Sequence, residues 1–256
     1  MVPRMTPPPQ TLFARELPWP EVRRAAEAGA VALVPVGSTE AHGPHLPLAT
    51  DVLIAEAVAV RVAERLAARS RRALIFPACS YSLTEFARPW AGTVSVSADA
   101  ARAYLADVLA AIARTPFARV GVLNHHLEPE HFRVVRDAAR LAQERVPGSD
   151  VRVPDHRRPP FAERLGPEFT RGGSHAGWYE TSLMMAAAPQ LVREPERRAL
   201  PAIPVDLPAL IKAGKKDFLE CGGPDAYLGD PASASAVEGA RLLDLLADHA
   251  ADALGG

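Results

Sequence analysis

Apolar and polar positions along this chain fall into two alternating periods. Short runs that are apolar apart from Arg119, namely Ala30–Val36, Ala73–Phe76 and Arg119–Leu123, have the length and β-branched content of buried strands. A fourth, shorter run at Val151–Val153 reads the same way. Between them lie segments with helical spacing: Asp51–Arg69, where Ile54, Val58, Val62 and Leu66 recur every fourth residue, then Ser97–Ala113 and Glu128–Glu144. Trp19-Pro20-Glu21 opens a short helix that ends near Gly29. Further helices are expected over Gly177–Ala188 and Ala234–Ala251. Strand–helix alternation of this kind predicts an α/β fold, a mostly parallel sheet with helices on both faces. Pro154–Gly173, dense in Pro and Arg, is the longest irregular stretch and is expected to act as a flap.

The polar residues interrupt this pattern where strands should end. Glu40-Ala-His42-Gly-Pro-His45-Leu-Pro-Leu-Ala-Thr-Asp51 follows the first strand and precedes the first long helix. Open α/β sheets build their sites on such loops. Glu40 and His42 are two apart, so in extended backbone they project to the same side. Carboxylate oxygen beside imidazole nitrogen suits zinc, manganese or iron better than calcium. Each residue alone has a plainer role: Asp51 as an N-cap, His45 as a packed loop histidine, Glu40 and His42 as solvated loop residues. The cluster as a whole points to metal.

Two more clusters carry chemistry. Asn124-His125-His126-Leu127-Glu128-Pro129-Glu130-His131 directly follows the third strand and should share the rim with the first. Glu130 and His131 are expected on the exposed first turn of the next helix. Ser174-His175-Ala176-Gly177-Trp178-Tyr179-Glu180-Thr181-Ser182 lies at a helix start, where small residues let a histidine approach substrate.

Taken together these motifs resemble the creatininase (creatinine amidohydrolase) family. Its first motif, Glu-x-His-Gly-x-His-Leu-Pro-x-x-Thr-Asp, is met from Glu40 to Asp51. A later one, His-Ala-Gly-x-x-Glu-Thr-Ser, is met from His175 to Ser182, and Gly229-Asp230-Pro231 with Gly239 fits the C-terminal pattern. The resemblance implies a three-layer α/β/α sandwich and a site for two divalent metal ions, zinc and manganese, with iron also accepted. Carried over, Glu40, Asp51 and His126 hold one ion, and His42, Asp51 and Glu128 the other, with Asp51 shared. Glu128 and Glu180 compete for that last place. His175 then serves as the proton shuttle and Glu180 as its support, with attack by a hydroxide that bridges the ions. The middle motif departs from relatives that read Asn-Gly-His-Gly-Gly-Asn, since His125 replaces a glycine. Trp178, His125 and Glu85 are the residues expected to face substrate.

The expected reaction is hydrolysis of a non-peptide C–N bond in a small cyclic amide or formamide. A peptidase trimming a peptide terminus in cofactor maturation is the alternative, and a catalytically inactive metal-binding protein a third reading. Composition narrows the rest. Charged residues make up 23% of the chain and the net charge is −1, so nothing draws it to nucleic acid or an anionic membrane. The two cysteines form no pattern and suit a reducing cytoplasm. Residues 1–11 read as a loose tail and 12–256 as one domain of ordinary size. The resemblance also implies a homo-oligomer, commonly a hexamer, acting on a small-molecule amide.

Overall fold

A computed structural model describes residues 11–255. Four parallel strands form the central sheet, in the order β2-β1-β3-β4. They are β1 (Val31–Val36), β2 (Ala73–Ile75), β3 (Arg119–Asn124) and β4 (Val151–Arg152). Both β1 and β3 are buried along their whole length, which explains the apolar sequence of β1 and of Val120–Leu123 in β3. The chain is an α/β protein of the expected layered type.

Alternate residues of β1 feed two different cores. Val31 and Leu33 face α2 (Thr50–Ala68), α6 (Trp178–Ala187) and α9 (Ala236–Gly255), packing with Ile54, Val62, Leu183, Leu246 and Leu254. Ala32, Val34 and Val36 face α3 (Ala98–Ala113) and α4 (Pro129–Arg145), packing with Leu105, Leu109, Val134 and Val135. The period of two is therefore a choice between helical layers rather than between core and solvent. Helix α1 (Trp19–Glu27) closes the β2 edge through Ala25 and Val22 against Leu74. Ser97 starts α3 by accepting from the Ala100 amide.

Helices α6 and α9 cross closely because Gly239 has no side chain. A Cβ there would lie 1.7 Å from the Ser182 carbonyl oxygen. The Pro154–Gly173 segment is less irregular than expected. It holds a 3₁₀ turn at Ala162–Leu165 and the short α5 (Pro167–Thr170), and it buries Leu165 and Phe169 in the first core. Its composition hid that anchoring. Two short helices, α7 (Glu194–Ala199) and α8 (Leu207–Lys212), also went unpredicted, each with Pro in its first turn. The tail expected over residues 1–11 falls, apart from Thr11, outside the described residues. Among these, no helix is long and apolar enough to cross a membrane.

Candidate metal centre and active site

Strand register brings the two polar loops together. Val36 at the end of β1 pairs with Asn124 at the end of β3. The loops they release therefore leave neighbouring strand ends where the sheet order reverses, with β2 on one side of β1 and β3 on the other. Gly37 lets the first loop fold back onto α2, since a Cβ would lie 2.7 Å from the Val52 nitrogen. The third segment enters from the start of α6. There Ala176 sits at φ 49°, a region its Cβ disfavours, and its amide donates to Glu180 Oε2 at 2.7 Å.

Three carboxylates and three imidazoles converge at this point, all buried. His126 Nδ1 lies 3.2 Å from Glu40 Oε1 and 3.0 Å from Asp51 Oδ2. His42 Nε2 lies 3.1 Å from Asp51 Oδ1 and 3.6 Å from Glu180 Oε2. His175 Nδ1 lies 3.8 Å from Glu40 Oε1. Of three groups with metal-ligating potential, Glu40–Asp51–His126 and His42–Asp51–Glu180 share Asp51, which turns one oxygen to each, and the third is Glu40–His42–His175.

The backbone orients every ring. His42 Nδ1 contacts the Glu40 carbonyl at 3.1 Å, His126 Nε2 the Leu83 carbonyl at 3.0 Å, and His175 Nε2 the Ala41 carbonyl at 3.0 Å. A carbonyl only accepts, so each of those nitrogens carries the hydrogen in the neutral ring. The opposite nitrogen then presents a lone pair to the carboxylates. Lone pairs aimed at anions from two sides call for a cation between them, and an imidazole tethered through its far N–H is how proteins hold such a ligand. The donor set fits divalent metal ions.

The same carboxylates also favour a proton, a smaller cation, on that second nitrogen of His42 and His126. Burial alone would drive His42 down, yet Asp51, with Glu180 and Glu40, outweighs it and holds the ring at about 10. Burial also opposes protonation of His126, but Glu40 and Asp51 win and raise it. Burial pushes Glu180 up to about 8. His42 in turn holds the Asp51 carboxyl well below its usual range against the effect of burial, and strong shifts gathered in one buried cluster mark a candidate functional site. Ser38 donates to Asp51 Oδ2 at 2.6 Å, and the Thr84 hydroxyl donates to Glu40 Oε2.

Glu128 stands apart from both ligand sets. Its Oε2 accepts from the Glu85 and Phe86 amides at 2.9 and 3.3 Å, and it reaches only the outer nitrogen of His126, at 3.9 Å. The carboxylate that the resemblance offered as a ligand instead lines the chamber wall. Glu180 lies beside His42, with Oε2 3.6 Å from its Nε2. The His175 ring rests against Phe218, with centroids 3.9 Å apart and planes 16° apart.

The residues expected to face substrate are placed elsewhere. The ligand cluster opens on a chamber of about 410 Å³ whose walls include Phe86, Leu127, Phe169, Leu207, Ile211 and Phe218. Trp178 packs against the first core and lines a separate cleft. His125 is buried in a stack between His156 and Tyr179. Glu85 binds Ser95 and Arg88 at an outer groove. His131, expected at the surface, is fully buried and bridges Ser82 Oγ and Asn124 Oδ1 at 2.9 and 2.8 Å. His45, read as a loop histidine, is buried with Nε2 2.8 Å from Thr181 Oγ1.

The creatinine amidohydrolase family model matches residues 15–254. The chain belongs to the creatininase family. It is 32% identical over 193 residues to a creatinine amidohydrolase of Pseudomonas putida, covering 72% of this chain and 74% of that one. It is 33% identical over 222 residues to a mycofactocin precursor peptide peptidase of Mycobacterium ulcerans, covering 84% and 81%. A crystal structure of creatinine amidohydrolase superposes with a TM-score of 0.75 at 27% identity, covering 96% and 98%. Another solved relative, described as creatininase Mn, gives 0.74 at 26% over the same shares. The chain is thus a creatininase-family hydrolase, and its buried His/Glu/Asp cluster is a candidate divalent-metal site. Sequence reading missed Ser38, Thr84 and Phe218. Only Ser38, just upstream of Glu40, lies close enough to a motif to have drawn notice.

Proposed function

We propose that the protein is a metal-dependent amidohydrolase that cleaves an amide bond near the end of a peptide-like substrate. The buried cluster opening on a wide apolar chamber carries this reading. Its volume lies within the range of about 300–1,000 Å³ that takes drug-sized ligands, and a small ring would leave most of it empty. Phe86, Glu128, Pro129 and Ile211 also line an outer groove that adjoins the chamber, which favours a substrate longer than a single ring. The substantial identity to a peptide peptidase over 84% of the chain supports the same choice.

Glu40, Asp51 and His126 would hold one ion, and His42, Asp51 and Glu180 the other. Two such ions supply a polarised carbonyl and a water acidic enough to attack near neutral pH. His175 offers Nδ1 on the Glu40 side, while its Nε2 stays on the Ala41 carbonyl. One nitrogen therefore takes the proton from water and delivers it to the leaving nitrogen. Phe218 keeps the ring from turning away. The complete set of ligands and shuttle argues against a non-catalytic scaffold.

Metal content by mass spectrometry, on protein purified without chelator, is the first test. About two ions per chain, lost in Asp51→Ala, with release of a terminal fragment from apolar peptides, is the expected result. A protein that binds no zinc or manganese overturns the reading. Turnover of creatinine far above any peptide returns the substrate to small cyclic amides, as named for the Pseudomonas relative.

A further inference from the structure

We infer that Arg157 is the anchor for a carboxylate carried by the substrate, an inference that rests on the amidohydrolase reading above. Among the described residues lining the chamber, Arg157 is the one lysine or arginine, and it shares that chamber with Glu40, His126, His175 and Glu180. The side chain is held from two directions. Its Nε and Nη2 donate to Asp155 Oδ1 and Oδ2 at 3.1 and 3.3 Å. Its guanidinium carbon lies 3.3 Å from the centroid of the Phe132 ring. Nη1 has no partner among the described residues, and the side chain keeps 29% of its exposure.

A solvated surface arginine would sweep many rotamers. This one has spent that freedom already: Asp155 takes the Nε–Nη2 edge, and a ligand carboxylate meets the remaining Nη1 of a guanidinium fixed in advance. Arginine is the residue best matched to a planar carboxylate. In a chamber whose other walls are chiefly aliphatic and aromatic, a single cation fixes which end of the substrate enters first. Glu128 lies on the same chamber, tied to the Glu85 and Phe86 amides, and the exposed Glu163 also lines it. Neither carboxylate offers an anion a partner, which leaves the free Nη1 of Arg157 as the one arginine or lysine donor on these walls. The substrate class that follows is an acyl-amino acid or peptide with a free carboxylate and an apolar side chain next to the bond cleaved.

Equilibrium binding tests this without relying on turnover. Metal-loaded protein is titrated calorimetrically with N-acetyl-leucyl-phenylalanine and with its C-terminal amide. The native protein should bind the acid at least about tenfold more tightly than the amide. Arg157→Gln should abolish that preference, and Arg157→Lys, which keeps the charge without the fork, should retain part of it. Circular dichroism and melting of both variants show whether either fails to fold, and the folded one then decides. Equal binding of acid and amide, or no binding of either, overturns the inference. A preference that survives in Arg157→Gln overturns it too, since the carboxylate would then sit on the metal ions. Hydrolysis of amides is scored separately: a protein that cleaves them but ignores the carboxylate loses this inference alone. One that reads the carboxylate but cleaves nothing loses only the hydrolase reading.

Discussion

The His175 imidazole lies flat against the Phe218 ring, 3.9 Å between centroids with planes 16° apart, while its Nε2 sits on the Ala41 carbonyl. Two independent constraints thus define one ring. Removing the stacking partner should loosen the shuttle without touching a metal ligand. Phe218→Leu is expected to lower kcat about ten- to hundredfold with little change in KM, because small misplacements of a catalytic group are costly. Phe218→Tyr should restore most of the rate. Steady-state kinetics at fixed metal content check this, and an unchanged kcat in Phe218→Leu would remove Phe218 from the positioning role.

Glu128 and Glu180 should separate cleanly on metal content. Glu180 Oε2 faces His42 Nε2 at 3.6 Å, whereas Glu128 is bonded to backbone amides. Glu180→Gln is therefore expected to retain about one ion of two, and Glu128→Gln to retain both. Mass spectrometry of the purified variants decides the matter. The reverse outcome would restore Glu128 to the second metal.

Acid should weaken the segment around α7 through Glu194. Hydrogen bonding from Arg197, with Arg198 beside it, holds this carboxyl down at about 2. A carboxyl depressed on folding adds stability that is complete above its unfolded value of about 4.3 and is lost as pH falls through the folded value. The native protein should therefore lose stability relative to Glu194→Gln between about pH 4 and pH 2. Arg197 also donates to the Pro231 and Ala232 carbonyls, so the loss reaches the turn before α9. Denaturant titrations of both proteins across that range measure it, and parallel pH profiles would count against the ion pair.

Gly239→Ala should be severely destabilising. The added methyl would meet the Ser182 carbonyl oxygen at 1.7 Å, and backbone on both sides leaves little room to yield. Overpacking of this kind costs about 3 kcal/mol or more. Helix α6 also carries Glu180, so metal affinity should fall with stability. Urea unfolding with and without added zinc would show both effects.

Most of the layered fold was legible because burial on both faces leaves an apolar signature in β1 and in Val120–Leu123 of β3, and four-residue spacing marks α2. Helices α7 and α8 were not, being single turns and a half held by tertiary contacts. The anchoring of Pro154–Gly173 was hidden for a related reason: Leu165 and Phe169 sit in a Pro- and Arg-rich context that looks solvated. His131 was misplaced because a helix's first turn gives no hint that Ser82 and Asn124 wait beneath it.

At the site, the division follows the distance along the chain. Glu40, His42 and Asp51 share one loop, and His126 follows the end of the neighbouring strand, so local spacing and strand order were enough to gather them. The choice between Glu128 and Glu180 could not be made that way. Both are carboxylates a few residues from a histidine, and each was free to turn towards the cluster or away from it. What decided it was the backbone they met: the Glu85 and Phe86 amides captured one, while the Ala176 amide, held at φ 49°, aimed the other at His42. Arg157 belongs to the same class of fact, a cation whose place in the chamber depends on Asp155 and Phe132. Local sequence determines which groups are available; the lone pairs and amides they find across the fold determine where each one points.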